Sequence, residues 1–95
     1  GPERGAMAHR RLRIANVKGL HARASARLVE VVEAHDATAT VAKDGMEASG
    51  DSIMGLLMLA AGLGSTVEVT TAGPEADRLA DAIAALVADK FGEGE

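Results

Sequence analysis

The chain has 95 residues, 47% of them hydrophobic, a formal net charge of −4 and a pI near 5.3. That length holds one compact domain, and a mean hydropathy of +0.09 places it among globular rather than disordered chains. Negative charge and the lack of Tyr and Trp argue against nucleic-acid binding, and the lack of cysteine excludes disulfides, thiolate metal sites and cysteine nucleophiles.

With a single aromatic residue, Phe91, the core is expected to be aliphatic, made of Leu, Val, Ile, Met and Ala. The longest apolar run, SIMGLLMLAAGLG, is short of the ~20 residues that a bilayer-crossing helix needs. The start has no hydrophobic secretory segment. A cytoplasmic protein without membrane insertion is therefore expected. Residues 1–6, GPERGA, read as a vector-derived leader, with Met7 as the native start and one domain over 7–95.

Residues 10–15, RRLRIA, have the period of a strand with one buried face: Leu12 and Ile14 point one way, Arg11 and Arg13 the other. After the connection NVKGL the period changes. Ala24, Leu28, Val31, Val32 and His35 form one stripe of a helix running from Ala22 to about residue 35, with Arg23, Arg27, Glu30 and Glu33 on its other faces. ATATVAK (37–43) is a second strand, and Asp44-Gly45 turns the chain into a short third, MEAS (46–49). Ser52 N-caps a short helix from Ile53 to about Ala60, closed by Gly62 or Gly64. TVEVTT (66–71) is the fourth strand. Gly73-Pro74-Glu75 opens a last helix with Pro74 at its first position. Its apolar stripe is Ala76, Leu79, Ala80, Ile83, Leu86 and Val87, and the GEGE tail is expected to fray. The order β-α-β-β-α-β-α predicts an α/β (α+β) open-faced sandwich: a four-stranded antiparallel sheet with three helices on one face.

Within GLHARAS (19–25), His21 stands where the first helix begins. Backbone N–H groups there lack partners and the helix dipole is positive, which favours an anion beside the imidazole and a neutral ring with a free lone pair. Arg23 follows in the same turn and Arg27 one turn later, and guanidinium groups fork readily onto phosphate oxygens. Gly19 gives the backbone freedom and leaves the ring uncrowded. These residues suit a nucleophile that accepts a phosphoryl group and then holds the dianion. They also suit a histidine that only caps the helix. No metal site is expected, since His21 and His35 lie about 21 Å apart along a helix. Nothing nearby supplies the oriented base and nucleophile of a hydrolytic triad.

GLHARAS at 19–25, DSIMGLLML at 51–59 and the element order together resemble the HPr family, the histidine-containing phosphocarriers of the bacterial phosphoenolpyruvate-dependent phosphotransferase system. The resemblance spans essentially the whole chain. It implies that His21 accepts the phosphoryl group through Nδ1 and that Arg23 is the arginine of the active centre. It further implies enzyme I as donor, charged by phosphoenolpyruvate, and an EIIA-type protein as acceptor. No cofactor and no turnover of its own are expected, and a carrier that shows one face to successive partners is expected to be a monomer. The nitrogen-type branch of the same system, signalling by phosphorylation state rather than feeding sugar uptake, is the alternative. An unrelated enzyme on the same sandwich is a more distant one, because fold alone does not fix function. The commonest family motif has proline where Ala24 stands. Proline presets φ in a first turn, and alanine is itself a strong helix former.

In this family the serine at the place of Ser52 is, in many bacteria, phosphorylated by HPr kinase/phosphorylase, so the resemblance implies a regulatory site there beside the capping role. The helix it caps is apolar nearly all round (Ile53, Met54, Leu56, Leu57, Met58, Leu59). So short a helix cannot turn all of these inward, so some form an exposed patch. Met54 and Leu57 are expected to form a partner-docking surface beside His21, with Arg23 and Arg27 on its rim.

Overall fold

The computed structural model describes residues 6–94. Its elements are β1 (Met7–Arg13), α1 (Ala22–Glu33), β2 (Thr38–Lys43), β3 (Met46–Ser49), α2 (Ile53–Met58), β4 (Thr66–Ala72) and α3 (Ala76–Ala88), followed by a short 3-10 turn at Lys90–Gly92. The strands form one antiparallel sheet in the order β1-β4-β2-β3, the expected open-faced sandwich. The leader read at 1–6 lies outside the described residues except for Ala6, whose carbonyl accepts the Gly73 N–H at 3.0 Å.

β1 runs over Met7–Arg13 rather than 10–15. Its early inward positions are Ala8, which is buried, and Arg10, which reaches Asp81 of α3 at 3.0 Å. Neither looks like a core residue, so the alternation is hidden in the sequence. Asp44 (φ 52) and Gly45 (φ 82) make the β2–β3 turn as expected, their consecutive positive φ values matching the twist of a two-residue hairpin. α1 buries Ala24, Ser25, Leu28 and Val32, and Ala24 is 0% exposed. A small residue therefore fits the position after Arg23 without proline.

Two helix ends differ from expectation. α2 is turned by Ala60 at φ 53, not by Gly62 or Gly64. Left-handed backbone disfavours alanine by roughly 1–2 kcal/mol, and buried Leu59 and Ala61 on either side hold the turn in place. α3 begins at Ala76, with Pro74 in the turn before it. Glu75 is tied to Asp36 by two bonds, its N–H to the Asp36 carbonyl at 3.0 Å and the Asp36 N–H to its Oε1 at 2.8 Å. Those bonds keep it out of the helix.

The core lies between the helices and the sheet, and includes Ile14, Leu20, Leu28, Leu56, Leu79, Ile83 and Val87. Methionine is not in it: Met7, Met46, Met54 and Met58 are all exposed, whereas Phe91 is the largest fully buried side chain. The expected aliphatic core is thus closed by the one aromatic residue. Phe91 (φ 54), Lys90 (φ 56) and Gly92 (φ 76) are all left-handed. Burying a phenylalanine is worth roughly 1.5–3 kcal/mol, and this offsets backbone strain on the order of 1 kcal/mol or more per non-glycine residue. The tail does not simply fray, because Glu93 folds back toward His21. Among the described residues no helix is long and apolar enough to cross a membrane.

Candidate functional site

His21 is the N-cap of α1, in extended backbone, and its Nδ1 accepts the Arg23 N–H at 3.2 Å. On the other edge of the ring, Nε2 is hydrogen-bonded to Glu93 Oε2. An ionised carboxylate only accepts, so the proton belongs on Nε2 and the lone pair on Nδ1. Both contacts select the same tautomer.

The loop before α1 supports this arrangement from beneath. Asn16 is fully buried, and its Nδ2 donates to the Gly19 carbonyl at 2.8 Å and to Glu93 Oε1 at 2.9 Å. Gly19 sits at φ 64, where a Cβ would lie 2.4 Å from the Ala61 carbonyl oxygen. No larger residue allows that approach, and beside it the Leu20 N–H donates to the same oxygen at 2.8 Å. The glycine of the motif therefore does more than leave the ring uncrowded: it locks the His21 loop onto the α2–β4 connection. Buried Ser25 donates from Oγ to the Leu20 carbonyl at 3.1 Å, fixing the helix start from its inner side.

His21, Arg23 and Arg27 line one open pocket together with Lys18, Ala22, Gly92 and Glu93. The pocket has three cationic side chains and one carboxylate around an imidazole. Arg27 Nη1 donates to the Phe91 carbonyl at 2.9 Å, so this guanidinium holds the C-terminal turn as well as lining the pocket. The Glu93 carboxyl is held below the ordinary glutamate range, first by the Asn16 hydrogen bond, against partial desolvation, then by the bond and charge of His21 and the charge of Lys18.

Leu57 lines an adjoining depression with Lys18, Leu20, His21, Ala60, Ala61 and Gly62. Met54, 71% exposed, lies on α2 outside both hollows, and with Ile53 and Met58 it forms the exposed apolar side of that helix. Ser52 also stands outside them: its Oγ accepts the Gly55 N–H at 3.0 Å as the N-cap of α2. Sequence reasoning missed Asn16, Lys18 and Glu93. Lys18 had a signal, a cation three residues before His21, but Asn16 passed as part of a connecting loop. Among the described residues no group of three or more His, Asp or Glu side chains is arranged to hold a metal ion.

This geometry has counterparts in known proteins. The phosphocarrier protein HPr of Cupriavidus necator is 45% identical over 89 residues, 94% of this chain and 100% of that protein. The phosphocarrier protein NPr of Shewanella violacea is 43% identical over 84 residues, 88% of this chain and 92% of that one. The crystal structure of a phosphocarrier protein HPr from Bacillus anthracis matches with a TM-score of 0.82 at 36% identity, covering 86% of this chain and 98% of the other. The family model for the PTS HPr component phosphorylation site matches residues 8–89, a stretch that contains His21, its loop and all three α-helices. The chain belongs to the PTS HPr component family.

Proposed function

We propose that this protein is a phosphocarrier that takes a phosphoryl group on His21 Nδ1 from enzyme I, itself charged by phosphoenolpyruvate, and passes it to an EIIA-type protein. The observation that carries this reading is the position of Nδ1. It bears the lone pair and lies at the N-terminal end of α1, and His21 lines a pocket together with Lys18, Arg23 and Arg27.

The transfer follows from those parts. Among the described residues Nδ1 holds only the Arg23 N–H, at 3.2 Å. When Nδ1 attacks phosphorus, that N–H is released and becomes a donor for a phosphoryl oxygen at the positive end of the helix. Arg23 supplies a guanidinium in the same turn, able to fork onto two oxygens, and Lys18 adds a point charge. Phosphoryl transfer asks mainly for positioning and charge stabilisation, and the partner supplies the remaining groups. The protein thus acts as a cytoplasmic, monomeric relay without turnover of its own. Exposed Met54 with half-buried Leu57 forms the apolar contact for partners, with Arg23 and Arg27 at its rim. Phosphorylation of Ser52 by HPr kinase/phosphorylase would place a dianion beside that contact and weaken docking.

A second reading has its own support, because the NPr relative at 43% is nearly as similar as the HPr relative at 45%. In that reading the protein serves the nitrogen-type branch and signals by its phosphorylation state.

The test is incubation with purified enzyme I, phosphoenolpyruvate and Mg²⁺, followed by intact mass and acid treatment, for the wild type and His21→Ala. One acid-labile phosphate, absent from the variant, is expected. No phosphate with either sugar-type or nitrogen-type enzyme I would overturn the reading, and a preference between them would assign the branch.

A further inference from the structure

The turn that follows α3 has an unusual construction. Three consecutive residues, Lys90, Phe91 and Gly92, take left-handed backbone. Phe91 is locked in the core, and Arg27 of α1 holds its carbonyl at 2.9 Å. The effect is to aim the next residue, Glu93, at the imidazole, where Oε2 meets His21 Nε2 and Oε1 takes the Asn16 amide at 2.9 Å. Asn16 is fully buried, and its Oδ1 has no partner among the described residues. Such an orphaned acceptor lowers stability, so the asparagine is better explained by its two donated bonds than by stability. Strained backbone and an unsatisfied buried amide converge on one carboxylate, and strain of this kind clusters at functional sites.

We propose that Glu93 is a positioning residue for phosphoryl transfer: it fixes the His21 proton on Nε2 and offsets the positive charge that the ring acquires when Nδ1 attacks. This rests on the carrier reading above and extends it beyond the family match, which ends at residue 89. In the forward step the Nδ1 lone pair forms the N–P bond. The bond from phosphorus to the donor breaks, and its electron pair leaves with the donor. The ring becomes an N-phosphorylated imidazolium whose remaining proton, on Nε2, faces Glu93. The other charged groups lining the pocket are Lys18, Arg23 and Arg27. All three are cations that oppose a positive ring, and Glu93 is the one carboxylate among the pocket residues that compensates them. On delivery the same contact keeps the ring protonated, so that Nδ1 departs as a neutral imidazole.

Two variants separate orientation from charge. In Glu93→Gln the amide oxygen can accept from Nε2–H only with its NH2 turned toward the Asn16 amide, so that variant keeps the acceptor at the ring and loses the Asn16 bond, while in Glu93→Ala nothing replaces the acceptor. Nitrogen-15 spectra of the imidazole at a pH where the ring is neutral should show the Nε2–H tautomer alone in the wild type and in Glu93→Gln, and a mixture in Glu93→Ala. In single-turnover transfer from phosphorylated enzyme I, Glu93→Ala should be slower by about 10-fold with an unchanged concentration dependence, the low end of the loss seen when carboxylates that orient metal-bound histidines are removed. Glu93→Gln should fall between it and the wild type. Amide spectra of both variants should show Phe91 still packed. A Glu93→Ala protein with the wild-type tautomer population and a transfer rate within twofold of the wild type would overturn the role of Glu93 while leaving the carrier reading intact. A wild type that takes no phosphate would overturn both.

Discussion

Both α1 and α2 start from a capped first turn: His21 Nδ1 accepts the Arg23 N–H at 3.2 Å, and Ser52 Oγ accepts the Gly55 N–H at 3.0 Å. Serine is among the best residues for that task, and histidine is not among the preferred caps. Their surroundings differ in kind. His21 shares a pocket with Lys18, Arg23, Arg27 and the Glu93 carboxylate, whereas beyond Ser52 α2 exposes Ile53, Met54 and Met58. The same unsatisfied N–H groups are answered at one helix by a side chain suited to capping and at the other by a side chain suited to chemistry. In the proposed function, two helix starts on one small fold divide the work: one holds a charged group, and the other meets a partner.

Substitutions at the two caps are the sharpest way to break that comparison. His21→Ala should abolish phosphorylation, more than 10³-fold or about 4 kcal/mol in the barrier, with thermal stability changed by less than about 1 kcal/mol because the imidazole is a weak cap. Residual acid-labile phosphate in this variant would place the chemistry elsewhere. Gly19→Ala meets both a left-handed φ and the Ala61 carbonyl. It should lose about 2–3 kcal/mol in urea unfolding, and a loss under 0.5 kcal/mol, set roughly by the level of ordinary surface changes, would mean that the loop is not locked as described. On the α2 side, Met54→Asp should raise the KM for enzyme I by about 10-fold, equal to about 1.4 kcal/mol. An unchanged KM would remove Met54 from the docking surface. Ser52→Ala should lose about 1 kcal/mol of stability and still accept phosphate on His21, so a variant that folds but cannot be charged would erase the division of labour.

The smallest effect is a pH dependence. The Glu93 carboxyl is lowered by its Asn16 and His21 partners against partial desolvation, so its folded value lies below its unfolded one. Its contribution to holding the C-terminal turn is then fully present above the ordinary glutamate value of about 4.3 and is lost as pH falls through the lower folded value. Titration of the Glu93 side-chain carbonyl by NMR should give a midpoint below that of an unfolded peptide. A midpoint at or above the peptide value would contradict the Asn16 and His21 contacts.

How legible these features were depended on how local their causes are. The strand alternation in TVEVTT, the Asp44-Gly45 turn, the α1 and α3 stripes and the two cap positions each follow from residues within one turn or one hairpin. The GLHARAS stretch puts His21 at the start of α1 and Arg23 in its first turn for the same reason. Glu93 meets His21 across 72 residues, and nothing in GEGE suggests it. The clue lies in Phe91, a lone aromatic near the end of the chain that is needed to close the core. β1 was blurred because its inward positions hold a small residue and an arginine, and the closure of α2 was misplaced because tertiary packing holds Ala60 in backbone that glycine normally takes. The exposed methionines had the opposite problem. Hydrophobicity counts methionine among the core residues, yet Met7 on β1, Met46 on β3 and Met54 and Met58 on α2 all face solvent, and of these only the exposure of Met54 is expected.

The most direct test of the central claim is a nitrogen–phosphorus correlation spectrum of the phosphorylated protein with nitrogen-15 histidine. The account predicts phosphorus coupled to Nδ1 of His21, with the Nε2 proton still present and in contact with Glu93. Phosphorus on Nε2, on another histidine, or on no imidazole nitrogen would contradict it.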